Sequence, residues 1–330
     1  MKAFVHFGEP GLAGTRFTDV PDPQPGPGQV RVRLNTAGLN RRDLRVTNLA
    51  KPGDPLVVLG SDGAGVIDQV GEGVPNVRAG DEVVINPSLN WFENAPAPPP
   101  NHEILGSPTN GTFAEFIVID ARQVEPKPAH LTWEEAGVLP LAALTAYRAL
   151  FTRGRVQAGQ TVLIPGAGSG VATFLVQFAK AAGARVVVTS RSEEKRRRAE
   201  ALGADVSIPT ETDWLAALGG EKVDIVIDSV GAATFGKCLA ALKPGGTLVT
   251  FGATTGDDVT IDIRSFFYGQ FNLLGTTMGS RDEFREMLRF VAEHQIHPVL
   301  DRVYPLADAG EALRRLRDGE QFGKIGLRIG

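Results

Sequence analysis

The alternation of apolar and polar residues changes character twice along the chain. Up to residue 130 the apolar runs are short. Residues 30–34 read VRVRL, the period-two pattern of a half-buried strand. Residues 57–59, 65–70, 82–85 and 113–119 predict further strands. Clusters of Gly, Pro and Asp at 21–28, 71–75 and 78–81 predict the turns between them. Short strands separated by frequent turns suggest a barrel-like β-rich domain. Residues 91–108, rich in Pro and Asn, predict an irregular surface lobe.

From residue 131 strands alternate with helices. Thr132 can N-cap a helix that carries Glu134 and Glu135 in its first turn and runs towards Leu150, with a break at Pro140. Residues 161–164 predict a strand, 173–182 a helix, and 185–189 a β-branched strand, which together make one βαβ unit of about 30 residues. Residues 223–228 (VDIVID) predict another strand. The helix at 235–242 meets a stop at Lys243-Pro244-Gly245-Gly246. Residues 247–251 and 271–276 add two strands. This succession implies a parallel, doubly wound sheet. The tail predicts an amphipathic helix at 281–293, with Phe284, Met287, Leu288 and Val291 on one face. A strand at 299–304, a helix at 306–316 and a strand at 323–329 follow. These elements can return to the first domain. The expected division is a catalytic domain of residues 1–130 and 281–330 around a dinucleotide-binding domain of residues 131–280, with a cleft between them.

Composition narrows the function classes. At 330 residues, two domains are the prior. A net charge of −4 gives no reason to expect nucleic acid or a membrane surface. No apolar run approaches the length of a bilayer span. Residues 1–8 lack a basic segment followed by an apolar one, so a cytoplasmic location is expected. Cys238 is the single cysteine; it can form no internal disulfide and no thiolate zinc site, and a core role is expected.

The chemistry begins at residues 165–172, PGAGSGVA. Between a strand and a helix, small residues let the backbone approach a pyrophosphate, and the helix aims its free N–H groups and dipole at the anion. Gly166, Ala167, Gly168, Ser169, Gly170 and Val171 are therefore expected to bind cofactor. An NAD site usually places Asp or Glu about 20 residues further on, at the ribose 2′-hydroxyl. Counting from Gly170 reaches Ser190, within Thr189-Ser190-Arg191-Ser192, where no carboxylate stands. Hydroxyls with Arg191 and Lys195 suit a 2′-phosphate, which a guanidinium can bind in bidentate fashion. NADPH is expected over NADH. Ser192 also reads as a helix N-cap, and Arg196 to Arg198 as a solvated helix face.

None of the five histidines, His6, His102, His130, His294 and His297, has zinc-site spacing. The Gly168-Ser169-Gly170 triplet lacks the Gly-x-Ser-x-Gly pattern of a nucleophile elbow.

At this point the motifs become specific. AGLNRRD (37–43), LGSDGAGVIDQVGEGV (59–74), AGDEV (79–83), GTFAEFIV (111–118), LTAYRAL (144–150), LKPGG (242–246) and GKIGL (323–327) occur in one order along the chain. In them the chain resembles the medium-chain dehydrogenase/reductase superfamily over nearly its full length. The resemblance implies an α/β protein, a GroES-like β-rich catalytic domain plus a doubly wound Rossmann domain. Zinc members place a cysteine ligand where Asn40 stands and a Gly-His-Glu motif at Gly60-Ser61-Asp62. The chain therefore looks like the zinc-free quinone oxidoreductase branch, with no metal. In that branch the residues matching Asn40 and Asp43 line the cleft, one matching Thr145 sits near the nicotinamide, and the segment around Met278 and Gly279 approaches that ring. Gly252 and Lys324 complete the cofactor set that the resemblance implies. Relatives are commonly dimers, so a homodimer is expected.

The implied reaction is hydride transfer from NADPH to a small-molecule acceptor, a quinone or the β-carbon of an enone. Negative charge built on the acceptor oxygen needs donors or a cation. Asn40 offers amide donors, Arg45 a positive charge, and Asp43 can orient Asn40 or an arginine. Asn40 and Asp43 also read as a turn-and-cap pair. Two alternatives stand beside this reading: a zinc-free alcohol dehydrogenase or aldehyde reductase, and a non-enzymatic NADPH-binding protein.

Overall fold

A computed structural model describes residues 1–330, which fall into two units, Met1–Ala142 with Gly279–Gly330, and Ala143–Met278. In unit 1 the chain forms β1 (Lys2–His6), β2 (Thr15–Asp19), β3 (Gln29–Gly38), β4 (Val57–Val58), β5 (Asp62–Val70), β6 (Glu82–Ile85), β7 (Ser88–Leu89), β8 (Glu103–Ile104), β9 (Phe116–Asp120) and β10 (Val124–Pro126), with helices α1 (Arg41–Leu49) and α2 (Trp133–Val138). The tail adds α9 (Arg281–Glu293), β17 (Leu300–Pro305), α10 (Ala309–Asp318) and β18 (Lys324–Arg328).

The alternation at 30–34 places Val30, Val32 and Leu34 in a core with Ile67, Val83, Ile85 and Ile117. Arg31 faces the other way and donates through Nε to Asp68. Strand β3 pairs antiparallel with β5, β9 and β18, and the main sheet has the order β10-β6-β5-β3-β18-β17. The last strand of the chain therefore lies against β3 of the first domain. Ala309, Ala312, Leu313 and Leu316 form the apolar stripe of α10, packed with Phe4, Leu39, Leu44 and Leu59 in a second core.

The domain boundary expected at residue 130 moves to 142. Helix α2 belongs to unit 1 because its backbone lies directly on β3. A Cβ on Gly137 would stand 2.6 Å from Thr36 Cβ, and one on Gly38 would stand 2.8 Å from Val138 Cα. Two missing side chains permit that approach.

Unit 2 holds β11 (Thr161–Pro165), β12 (Arg185–Ser190), β13 (Val206–Pro209), β14 (Val223–Asp228), β15 (Leu242–Thr250) and β16 (Asn272–Gly275). The helices are α3 (Pro140–Tyr147), which begins in unit 1, α4 (Gly170–Ala181), α5 (Glu193–Ala201), α6 (Trp214–Ala217), α7 (Phe235–Ala241) and α8 (Ile263–Tyr268). All six strands are parallel, in the order β13-β12-β11-β14-β15-β16. That is the doubly wound order, with its switch point between β11 and β14, where ligands bind beyond the carboxyl ends of the strands.

The Lys243-Pro244-Gly245-Gly246 stop ends α7 but does not form a free turn. Val223 pairs with Leu242 and Ile225 with Thr247, so the four residues make an irregularity inside β15. Helix α1 and strands β1, β2 and β13 lie where no element was expected. No helix is long and apolar enough to cross a membrane.

Candidate functional site

In unit 1, Asn40 stands between β3 and α1 and is the N-cap residue of the helix. Asn40 Nδ2 donates to Asp62 Oδ2 at 2.9 Å, and Asn40 Oδ1 accepts from Lys324 Nζ at 2.7 Å. Lys324 Nζ also donates to Leu39 O at 2.7 Å and to Asp62 Oδ2 at 3.0 Å. Asp62 Oδ1 accepts from the backbone N–H of Leu141 at 2.7 Å. Lys324 is 2% exposed and Asp62 0%. Each charge is buried, paired and hydrogen-bonded, the condition under which burial of a charge is tolerated.

This network bears on two residues expected at the site. The three protons of the Lys324 ammonium are spent on Leu39, Asn40 and Asp62, which leaves none for a cofactor in this arrangement. Asn40 has one amide proton committed to Asp62, so it does not present a free pair of donors. Lys324 and Asp62 were legible as a problem rather than as a pair. A lysine in an otherwise apolar strand and an aspartate ahead of Gly63-Ala64-Gly65 each need an opposite charge, and the sequence separates them by most of its length.

Asp43 acts as a cap. Its Oδ2 accepts from the Asn40 backbone N–H at 2.7 Å. Burial pushes its carboxyl from the ordinary value of 3.8 up to about 6, against the pull of the Arg42 guanidinium. The native state thus binds this proton more tightly than the unfolded chain does. Asp43 therefore contributes stability below about pH 4 that is lost as the pH rises through about 6. Asp43→Asn keeps an acceptor and cannot ionise. Between pH 4 and pH 7 the wild type should lose about 3 kcal/mol relative to this variant, read from urea midpoints at each pH. A difference that does not vary with pH defeats this assignment.

Arg45, expected to supply a positive charge, is turned away from this network. It lies two residues beyond Asp43, about 200° around the helix, and is exposed while Asp43 and Leu44 are buried. The inward arginine is Arg42. Its Nη1 donates to Ser61 Oγ and to Leu105 O, each at 2.7 Å, and its Nη2 to Ile104 O at 3.4 Å. Burial lowers its pKa, and the charges of Asp43 and Asp62 oppose that effect. Three arginines in the segment 41–45 gave no sign of which one faces inward; α1 decides it.

In unit 2, β11 ends at Pro165 and α4 begins at Gly170. Gly166 has φ 79 and Gly168 φ 104, conformations that only glycine adopts freely. The N–H groups of Gly166 and Ala167 donate to Thr189 O at 3.0 and 2.8 Å. Ser169 caps α4, its Oγ accepting from the Ala172 N–H at 3.1 Å. The N–H groups of Gly170 and Val171 in the first turn have no intrahelical acceptor. These residues fit a pyrophosphate, and the glycines that matter are 166 and 168.

The end of β12 carries Ser190, which is 7% exposed and whose Oγ accepts from the Ser192 N–H at 3.2 Å. Ser192 caps α5, its Oγ accepting from the Lys195 N–H at 3.3 Å. Arg191 is exposed. Arg196 is not the solvated residue expected: its Nη1 donates to Ser190 O at 2.8 Å. Arg197 and Arg198 do face outward, 3.8 Å from Glu193 and Glu194. Arg196 thus reaches the Ser190 carbonyl, Arg191 follows Ser190 in the chain and Lys195 lies in the first turn of α5, with no carboxylate within residues 189–192.

Gly252 lies against Ser229, whose O would be 2.9 Å from an added Cβ. Met278 closes unit 2, buried, at φ 40, a backbone strain of the kind that concentrates at functional sites. Gly279 opens the return to unit 1. Thr145 lies buried on α3. Asn40, Asp43 and Lys324 are thus grouped in unit 1, and Thr145 and the phosphate loop belong to unit 2.

The donor set in unit 1 does not fit zinc. Asn40, Ser61 and Asp62 supply one carboxylate, an amide and a hydroxyl, whereas zinc sites are built from thiolates, imidazoles and carboxylates. Both Asp62 oxygens accept hydrogen bonds. No three His, Cys, Asp or Glu residues converge anywhere in the chain.

Two family models match, the alcohol dehydrogenase GroES-like domain over residues 26–129 and the zinc-binding dehydrogenase over residues 170–293. A zinc-type alcohol dehydrogenase-like protein of Schizosaccharomyces pombe is 37% identical, over 92% of this chain and 91% of its own length. A crotonyl-CoA reductase of Streptomyces avermitilis is 31% identical, over 94% and 80%. Among solved structures, an NAD-dependent alcohol dehydrogenase superposes with TM-score 0.92 at 40% identity, over 100% of both chains. The 2-octenoyl-CoA carboxylase reductase CinF, in complex with NADP and 2-octenoyl-CoA, superposes with TM-score 0.88 at 28% identity, over 99% of this chain and 87% of its own.

Proposed function

The chain belongs to the medium-chain dehydrogenase/reductase superfamily, and from that premise we propose that it is an NADPH-dependent, zinc-independent oxidoreductase that reduces the C=C bond of an α,β-unsaturated carbonyl compound. The observation that carries the cofactor half is the end of β12, where Arg191 follows Ser190, Arg196 donates to the Ser190 carbonyl, Lys195 lies in the next helical turn and no carboxylate stands to repel a 2′-phosphate. The likeness to crotonyl-CoA reductase and to the NADP complex of a 2-octenoyl-CoA carboxylase reductase supports both halves. An enoyl thioester or an enone is the favoured substrate, with a quinone in the same electron-poor class. The donor set of Asn40, Ser61 and Asp62 supports chemistry without zinc.

Bound NADPH supplies a hydride. The protein's own part is placement and electrostatics. The backbone at Gly166–Gly170 holds the pyrophosphate, and Ser190 with Arg191 selects the 2′-phosphate. The pair Lys324 and Asp62 holds Asn40 and the start of α1 in one geometry. A homodimer and a cytoplasmic location belong to the same proposal, on the family resemblance and on the single, buried cysteine.

A second reading, an alcohol dehydrogenase or aldehyde reductase, draws on the zinc-type relative and the NAD-dependent structure. One experiment separates the readings: cofactor oxidation followed with enoyl-CoA thioesters, enones, quinones and aldehydes, each with and without a zinc chelator. The expected result is NADPH-dependent reduction of the enone or enoyl thioester, untouched by the chelator. Alcohol or aldehyde turnover that the chelator abolishes selects the second reading. Tight NADPH binding with no turnover points to a non-enzymatic role.

A further inference from the structure

A second buried carboxylate lies in unit 2, and unlike Asp62 it has no cation. Asp228 ends β14 and is 0% exposed. Its donors are all neutral. Oδ1 accepts from the Val230 N–H and from Thr234 Oγ1, each at 3.2 Å, and Oδ2 accepts from the Gly231 N–H at 3.0 Å. Burial raises its carboxyl above the ordinary 3.8, and these three donors pull against that rise. The other titratable group beside it is Cys238, whose thiol is kept neutral by burial and by the Asp228 charge. A carboxylate buried without a counter-ion is costly, and here both of its oxygens serve the turn 229–234. The far side of that turn is held by the segment after β15. Val230 O accepts from the N–H and Oγ1 of Thr255 at 2.9 and 2.7 Å, and Ser229 O accepts from Thr254 Oγ1 at 3.1 Å. The residue so fixed is Val230. Strand β14 pairs directly with β11, which runs into the phosphate turn. A Cβ on Gly166 would stand 3.1 Å from Val230 Cγ2, so the Val230 side chain lies against the residue whose positive φ begins that turn.

From this geometry we propose that Asp228 is a positioning residue for the cofactor: its carboxylate folds the turn 229–234 that sets Val230 against Gly166, and so fixes the phosphate-binding turn at 166–170. The proposal rests on the binding of NADPH at that turn put forward above. The chemistry accounts for the choice of a carboxylate. Two backbone N–H groups and a hydroxyl converge on two oxygens that only accept. An amide has one accepting atom, so its NH2 group must face either the Val230 N–H or the Gly231 N–H, donor against donor. Protonation of the carboxyl is milder: it turns charge-assisted hydrogen bonds into ordinary ones. Either change loosens the turn, and Val230 moves with it. The Gly166 and Ala167 N–H groups, held by Thr189 O at 3.0 and 2.8 Å, then lose the side chain packed against their turn. Ionised Asp228 thus favours the cofactor-binding form, and protonated Asp228 weakens it.

Two measurements on the whole protein test this, one with NADPH and one without it. The first is the NADPH dissociation constant, titrated by fluorescence from about pH 8 down to about pH 4. The second is amide hydrogen exchange at Gly166 and Ala167 in the cofactor-free protein. Asp228→Asn should bind NADPH roughly tenfold more weakly at neutral pH and exchange both amides faster. As the pH falls through the ionisation of Asp228, above 3.8, wild-type affinity should drop towards that of the variant. The 2′-phosphate titrates alike with both proteins and cancels in their ratio. Val230→Ala leaves Asp228 intact, removes the methyl groups that meet Gly166, and should reproduce the faster exchange. A ratio that stays constant with pH overturns the proposal, as does unchanged exchange at Gly166 and Ala167 in the variants, since Asp228 would then merely end β14. If Asp228→Asn does not fold, exchange in Val230→Ala decides. If the wild type binds no NADPH while the variants exchange faster, the cofactor reading falls and the hold of Asp228 on the turn stands.

Discussion

Replacing Lys324 by methionine should lower stability by about 3–5 kcal/mol, because it strands the Asp62 carboxylate in a buried position without its cation. The magnitude follows from burial on both sides: Lys324 is 2% and Asp62 0% exposed, at 3.0 Å. An exposed pair that is even closer, such as Lys2 with Asp19 at 2.8 Å, contributes under about 1 kcal/mol. A loss of this size is a large part of the roughly 5–15 kcal/mol that holds a typical domain folded. The double variant Lys324→Met with Asp62→Asn removes both charges and should be more stable than the single one. The introduced amide keeps an acceptor for the Leu141 N–H. Urea denaturation of the four proteins in the cycle measures the coupling. If Lys324→Met unfolds at the wild-type urea concentration, the buried pair is not what braces this part of unit 1.

The second large effect concerns the cofactor. Arg191→Ala should weaken NADPH binding roughly 10- to 100-fold and leave NADH nearly untouched, since a hydrogen bond to a charged group contributes about 1.5–3 kcal/mol. Ser190→Asp should act in the same direction more strongly. It places a carboxylate where the 2′-phosphate is expected and at the same time offers the NADH ribose an acceptor. Dissociation constants for both cofactors, taken by titrating their fluorescence, give the ratio directly. Unchanged NADPH affinity in Ser190→Asp would show that the 2′-phosphate lies elsewhere. A wild type that prefers NADH, as the name of the 40% identical structure suggests for that protein, would do the same.

Much of the architecture was legible along the chain. The period-two run at 30–34, the β-branched runs of the parallel sheet and the amphipathic stripes at 281–293 and 306–316 each depend on neighbours within a few residues, and each formed the element expected. Helix α1 was not legible, because its first residues, Arg41-Arg42-Asp43, carry no apolar stripe and its cap pair reads equally well as a turn. The end of α7 was legible but the bulge inside β15 was not, since only the pairing of Leu242 with Val223 across the sheet defines it.

The candidate site divides in the same way. Features that depend on the local backbone were legible in the sequence: the glycine-rich turn between β11 and α4, the Ser192 cap, and the absence of a carboxylate at Ser190, whereas the cap made by Ser169 was found only in the structure. Residues whose role depends on what is opposite them were not legible. Lys324 was assigned to the cofactor and Arg45 to the substrate. Tertiary structure placed Lys324 against Asp62 from the far end of the chain, and the pitch of α1 turned Arg42 inward and Arg45 outward. The sequence by itself determined most of the elements, the family and the glycine-rich turn between β11 and α4, since these follow from short-range spacing and backbone conformation. Which charges are buried, and which partner each one meets, depends on long-range pairing and desolvation, and only the folded chain sets those.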